Sequence, residues 1–349
     1  MRHKYIDNLK GFTIFLVVLA HVAERYFMSG IYPSYTKVFE LIYNTVYSFH
    51  MPLFMTISGF LFSTAYIDNS NILKKEKFIK HTLNLIIIYF LFSLFAYFAK
   101  NLFRETVLHP ISWLNIFLII FIPIGHLWYL HTLIILYTLN AIIVKPNINY
   151  RLLFFLFMTL ELASTYLHNY FPNPINTCLK YEFFFFTGIL LSKKPQAHIF
   201  SNTATSISII IATITLLYTL KSFDLRPDNV NILQLPISYG LCLFLYKTFK
   251  KEVKQLDIFN SMGKRSLEIY LISQYPLTVL KVILPKFSYI NGIFSLFLNT
   301  FFTLSIVYLA IYFLKKIKIY NYIFKPYSYI TNFHNKRKST IGYSDSREP

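Results

Sequence analysis

An ionisable side chain inside a long apolar run is costly to place, so chemistry is sought there first. His21 interrupts the first such run, ten residues after Gly11. Lys10 precedes it by eleven positions, and Asp7 lies one turn before Lys10. Eleven residues are close to three helical turns, so Lys10 and His21 share a helix face about 16 Å apart. Asp7 can pair with Lys10 across one turn. An imidazole in apolar surroundings is expected to be neutral and able to take a proton. The alternative is a snorkelling Lys and a satisfied core His, with no chemistry.

Further polar residues sit beside later apolar runs. His50 precedes Met51-Pro52, where the proline fits a first helical turn, and Ser58-Gly59 is a small pair that permits close helix contact. His126 and Trp128 open another run, the latter as an aromatic-belt anchor and the former as an interface residue. Glu161 lies mid-run and calls for a partner on another helix, whereas Glu268 reads as interfacial. No HExxH spacing, paired carboxylates, Ser/His/Asp order or glycine-rich phosphate loop accompanies them, so no metal, bound cofactor or ATP-driven step is expected. Cys178 and Cys242 fall in a loop and an apolar run, which argues against a disulfide.

The elements that position these residues follow from composition. Of 349 residues, 55% are hydrophobic and only 14% charged, against roughly a quarter charged in a soluble domain. The class is an all-α polytopic membrane bundle. Runs of about 17–25 residues cross the hydrocarbon as helix, and they fall at Gly11–Met28, Phe49–Tyr66, Leu83–Ala99, Leu127–Val144, Leu152–Phe171, Thr177–Ser192, Thr203–Leu220, Val230–Tyr246, Leu267–Leu284 and Ile293–Leu314. That predicts about 10 transmembrane helices. Ile111–Ile124 is shorter and reads as a re-entrant or interfacial segment. The net charge of +19 fits this topology rather than nucleic acid: with both termini cytoplasmic, most Lys and Arg fall on the cytoplasmic side. An eleventh crossing at Ile111–Ile124 would reverse that bias. Residues 1–330 form the transmembrane domain, and 331–349 read as a disordered basic cytoplasmic tail.

Four segments together resemble the acyltransferase 3 family of membrane-bound, acyl-CoA-dependent O-acyltransferases. Tyr5–His21, a basic residue followed by ten others and a His, is similar to the family's first-helix signature. Phe49–Leu61 resembles its second-helix motif, Gly125–Leu130 its HLWFL segment, and Gly263–Ile272 a late-helix motif. The resemblance runs from Tyr5 to about Leu314. Lys10 stands where the family usually has Arg, as in the branch resembling fucose 4-O-acetylases, and Ser273-Gln274 stands where many relatives have a His.

The resemblance implies transfer of an acyl group, acetyl in the simplest case, from acyl-CoA to a hydroxyl of a cell-envelope or exopolysaccharide sugar. His21 is then the general base, and Lys10 with Asp7 holds the donor. His50, Ser58, His126 and Trp128 line the path of a carbohydrate acceptor, lipid-linked or polymeric. Acyl-CoA is a co-substrate, membrane lipids are the surroundings, and the bacterial cytoplasmic membrane is the implied location. The competing class is an exporter or flippase of lipid-linked saccharide that does no chemistry. Cysteine-accessibility labelling tests the topology: residues 66–82, 247–265 and the C-terminus should label from the cytoplasmic side, and 29–36 and 221–229 from outside. Outside labelling of 247–265 would break the ten-span arrangement.

Overall fold

A computed structural model describes residues 3–102, 115–167, 170–193, 207–209, 211, 214, 234–251, 256–286, 291–327 and 329. Their regular structure is helical, apart from an isolated bridge between Ile67 and Leu73. The helices are α1 (Lys4–Ser29), α2 (Thr36–Tyr47), α3 (His50–Tyr66), α4 (Lys75–Leu102), α5 (Asn115–Leu118), α6 (Trp128–Ile143) and α7 (Tyr150–Leu167). They continue with α8 (Asn173–Ser192), α9 (Gln234–Lys251), α10 (Asp257–Lys264), α11 (Ser266–Ile272), α12 (Gln274–Ile283), α13 (Gly292–Lys316) and α14 (Tyr320–Phe324). The chain forms two compact units: Met1–Ala65 with Asn147–Leu309, and Tyr66–Pro146 with Ala310–Pro349.

In the first unit, α1 runs unbroken for 26 residues and stops where Gly30 adopts φ 62°. Glycine takes this left-handed conformation without a Cβ penalty. The Pro33–Tyr35 turn then leads into α2, which packs against α1. Phe39, Tyr43 and Val46 form the buried stripe of α2 at helical spacing. With Val22, Ala23, Tyr26, Leu277 and Leu296, Phe39 and Tyr43 make a core shared by α1, α2, α12 and α13. The second span is therefore not confined to Phe49–Tyr66: helix begins at Thr36, and the apolar stretch is Pro33–Tyr66. Lys37, Glu40 and Asn44 on its other face make that part read as a polar connection in sequence.

Two crossings fix the first unit. A Cβ on Gly11 would collide with the Phe259 carbonyl, and one on Gly263 with the Asp7 carbonyl, so α1 and α10 touch backbone to backbone. Gly59 and Gly188 make the same reciprocal contact between α3 and α8, against the Phe185 and Thr56 carbonyls. In α8, Tyr181 through Leu190 are all buried, as expected of a helix surrounded on every side. Glu161 on α7 is buried and lies near Lys180 of α8, the neighbour its position called for. Glu268 is also buried. Both cysteines are free.

The late span Leu267–Leu284 is broken: α11 and the helical stretch from Gln274 to Lys286 meet at 48°. Pro276 explains the bend, since it has no N–H to offer the Ile272 carbonyl. Among the described residues, five helices are long and apolar enough to cross a membrane, six if the bent pair is one span. The described part of α7 reaches Leu167, with Tyr170 and Phe171 outside the helix, and the described part of Val230–Tyr246, from Gln234, is helical and continues to Lys251. Most of Thr203–Leu220, and all of 331–349, lie outside the described residues. In the second unit, the described part of Ile111–Ile124 is the single turn α5 followed by irregular backbone. Tyr89 donates to the Ile119 carbonyl, and His131 Nε2 donates to the Ile120 carbonyl at 2.8 Å. Side chains thus replace the bonds that helix would have made.

The crossings predict an asymmetric response to added bulk. Gly263→Val should cost more than the ~1–3 kcal/mol of ordinary overpacking, because it meets backbone that cannot swing away. Gly30→Ala meets no atom within 4 Å and pays only ~1–2 kcal/mol for its positive φ. Thermal unfolding of the purified variants in detergent should show the larger drop at Gly263.

Candidate active site

His21 lies past the midpoint of α1, about two turns from its C-terminal end, because the helix begins at Lys4 and not at Gly11. Its Nδ1 is 3.1 Å from Glu24 Oε2, three residues along the same helix, and 2.8 Å from the Tyr47 hydroxyl at the end of α2. That hydroxyl donates to Glu24 Oε2 at 2.8 Å, closing a triangle. The surroundings of His21 are therefore not only apolar, as the sequence suggested. Glu24 and Tyr47 are the partners of His21 that sequence reasoning missed. The available signal was Glu24 at i+3 from a histidine.

With Glu24 ionised, all three contacts are satisfied when Nδ1 carries a hydrogen. Ionised Glu24 is an acceptor with no proton to give. A bare Nδ1 lone pair would face its oxygen at 3.1 Å, so Nδ1 carries the hydrogen and shares it between Glu24 Oε2 and the Tyr47 oxygen. In the neutral form of such a ring the lone pair is on Nε2. This is the order of a base oriented by a third group, with tautomer and ring plane both held by a carboxylate. The imidazolium formed by taking a proton at Nε2 would meet a negative charge already in place.

His50 belongs to the same cluster but has a different part. Its ring packs on Tyr47 at 4.6 Å between centroids, and Nδ1 donates to the Val46 carbonyl at 2.8 Å. It is 1% exposed, whereas the His21 side chain keeps 18%. His50 thus lies behind Tyr47. Ser238 of α9 donates to the Ser48 carbonyl and ties down the α2–α3 junction from the other side.

The remaining expected residues lie elsewhere on α1 or on other elements. Asp7 is buried and its carbonyl abuts Gly263, while Lys10 is half-buried on the same helix, three turns from His21. Ser58 is buried beside the Gly59 crossing. His126 lies in the Gly125–Leu127 turn and Trp128 starts α6, both in the second unit. Gln274, at the position where a late-motif His was lacking, accepts from Arg25 Nη2 at 2.7 Å. No group of three metal-ligating side chains occurs among the described residues.

The acyltransferase 3 profile, described as an acyltransferase domain, matches residues 3–314. The chain belongs to the acyltransferase 3 family. No curated protein and no solved structure matches it. Membership makes this a membrane acyltransferase and gives the apolar helices their setting. For an acyltransferase 3 protein, a histidine with one nitrogen held by a carboxylate and the other carrying a lone pair is suited to activating a hydroxyl.

The two supports of His21 should differ in weight. Glu24→Gln keeps the shape but removes the charge that stabilises an imidazolium, so the acyl-transfer rate should fall on the order of 10²-fold or more. Tyr47→Phe removes two neutral-donor contacts, to Glu24 and to His21 Nδ1, but leaves the carboxylate in place, so the loss should be smaller, a few-fold to about tenfold for each ~0.5–1.5 kcal/mol bond. Equal rates for wild type and Glu24→Gln would show that the carboxylate does not orient the base.

Proposed function

We propose that the protein is an O-acyltransferase that moves an acyl group, acetyl in the simplest case, from acyl-CoA to a hydroxyl of a cell-envelope or exopolysaccharide sugar. The observation that carries this reading is the His21–Glu24–Tyr47 triangle within a member of a membrane acyltransferase family. The acceptor hydroxyl gives its proton to His21 Nε2 as its oxygen attacks the thioester carbonyl carbon. The C–S bond then breaks, and the departing thiolate takes that proton back from Nε2. Glu24 balances the imidazolium between the two transfers.

CoA is a cytoplasmic polyanion, and Lys10 with its neighbour Asp7 at the other end of α1 is the donor's anchor in this scheme. The pantetheine arm then follows α1 for about 16 Å toward His21. The scheme needs ten spans with both termini cytoplasmic in a bacterial cytoplasmic membrane, and an acceptor that arrives from the outer side. A small sugar of the fucose type fits the Lys10 branch of the family. A flippase reading explains the polar interior equally but gives no use to an imidazole whose tautomer is fixed.

His21→Gln keeps size and polarity but cannot take the proton, so O-acylation should fall ~10²–10⁴-fold with the protein still accumulating in the membrane. Lys10→Ala should chiefly raise KM for acyl-CoA, and Lys10→Arg should retain much activity. The readouts are mass spectrometry of envelope glycans and release of CoA thiol by the purified protein. Near wild-type transfer by His21→Gln would overturn the assignment.

A further inference from the structure

Arg25 is one helical turn beyond His21 on the same face of α1. Its guanidinium is fixed to α12: Nη1 donates to Thr278 Oγ1 and Nη2 to Gln274 Oε1, each at 2.7 Å. Both partners are neutral. Among the described residues no carboxylate reaches ion-pair distance of Arg25, and Glu24, the nearest acid, has its Oε2 engaged by His21 and Tyr47. Lys281 follows Gln274 and Thr278 at i+7 and i+3 on α12, near enough to Arg25 for the two cations to interact. Two cations therefore face one carboxylate beside the base.

The spot is also open. Thr278 is exposed, and Arg25, Gln274 and Lys281 are each only partly buried. Guanidinium has five N–H donors in a plane, and two are committed here, which leaves donors for a further ligand. A charge held near a membrane span without a contacting counter-ion marks a substrate path more often than a structural tie. Gln274 and Thr278 orient the fork but cannot neutralise it, and Glu24 offsets only part of the charge of Arg25 and Lys281, so an incoming oxyanion meets a rigid receptor with positive charge to spare.

We propose that Arg25, positioned by Gln274 and Thr278 and assisted by Lys281, binds an oxyanion carried by the acceptor and so holds the acceptor hydroxyl at His21. This deepens the acyltransferase reading and rests on it for the word acceptor. The oxyanion has two possible sources with the same chemistry: a phosphate joining the sugar to a lipid carrier or polymer, or an acidic group on the sugar itself. A neutral sugar has nothing for this ledge.

The test is direct binding, with neither acyl donor nor turnover, so it fails independently of the transferase reading. The full chain in phosphatidylcholine nanodiscs is titrated with inorganic phosphate, glucose 1-phosphate, glucuronate and glucose at constant ionic strength, following the melting temperature. At least one anion should raise it, and glucose should not. Arg25→Gln should raise the half-effect concentration roughly tenfold or more, the weight of one charge-assisted contact. Arg25→Lys should retain part of the response, and Lys281→Gln should show a smaller loss, which keeps the test open if Arg25→Gln misfolds. A response to the phosphates alone assigns a phosphoryl-bearing acceptor, and one to glucuronate alone an acidic sugar. No response to any anion up to roughly 100 mM, the weak end of specific binding, or an Arg25→Gln titration matching wild type, overturns the proposal.

Discussion

A polar group placed among apolar helices must find its partner on another helix, because hydrocarbon offers none. Much of the first unit can be understood from how α1 meets that demand. Three consecutive residues near its C-terminal end turn to three different neighbours. Glu24 takes Tyr47 from α2, Arg25 takes Gln274 and Thr278 from α12, and Tyr26 meets Ser295 and Asn299 of α13. Thr303 extends the last contact by donating to Asn299 Oδ1, so a buried polar line runs along α13. Interhelical hydrogen bonds of this kind are worth on the order of 1 kcal/mol each. Their greater effect is to fix rotation, since apolar surfaces alone slide past one another.

The glycine crossings serve the same end by other means. Gly11 and Gly263 let α1 and α10 meet at backbone distance, which fixes the depth of α1 in the bundle. Together, close contact at one end and polar contact at the other leave His21 little freedom. An imidazole that shares Nδ1 between a carboxylate and a hydroxyl needs that precision, because its partners come from two separate helices.

Composition and run lengths made the all-helical membrane character legible, and Lys10 and His21 could be placed on one helix from spacing alone. Glu24 could not be recognised, because a lone carboxylate near the end of a span looks like an interface residue until its partner is known. Tyr47 was hidden for a different reason. The twelve residues of α2 are too few to cross and carry Lys37, Glu40 and Asn44, so they read as a connection. Their fold-back depends on the Gly30 turn, a tertiary fact. The break at Pro276 was visible as a residue, but its use was not: it starts α12 at Gln274, the residue that Arg25 grips. His50 was read as an acceptor contact by type, and neither its burial nor its packing on Tyr47 is visible in sequence.

The fan of Glu24, Arg25 and Tyr26 has a consequence for how such a chain can diversify. Each residue advances an α-helix by about 100°, so inserting or deleting one residue between Gly11 and Glu24 would turn all three side chains away from their partners in a single step. No compensating change at one neighbour repairs three mismatched docking directions. This stretch can vary in letters but not in length, whereas the exposed turn at 68–72 has no such phase to keep.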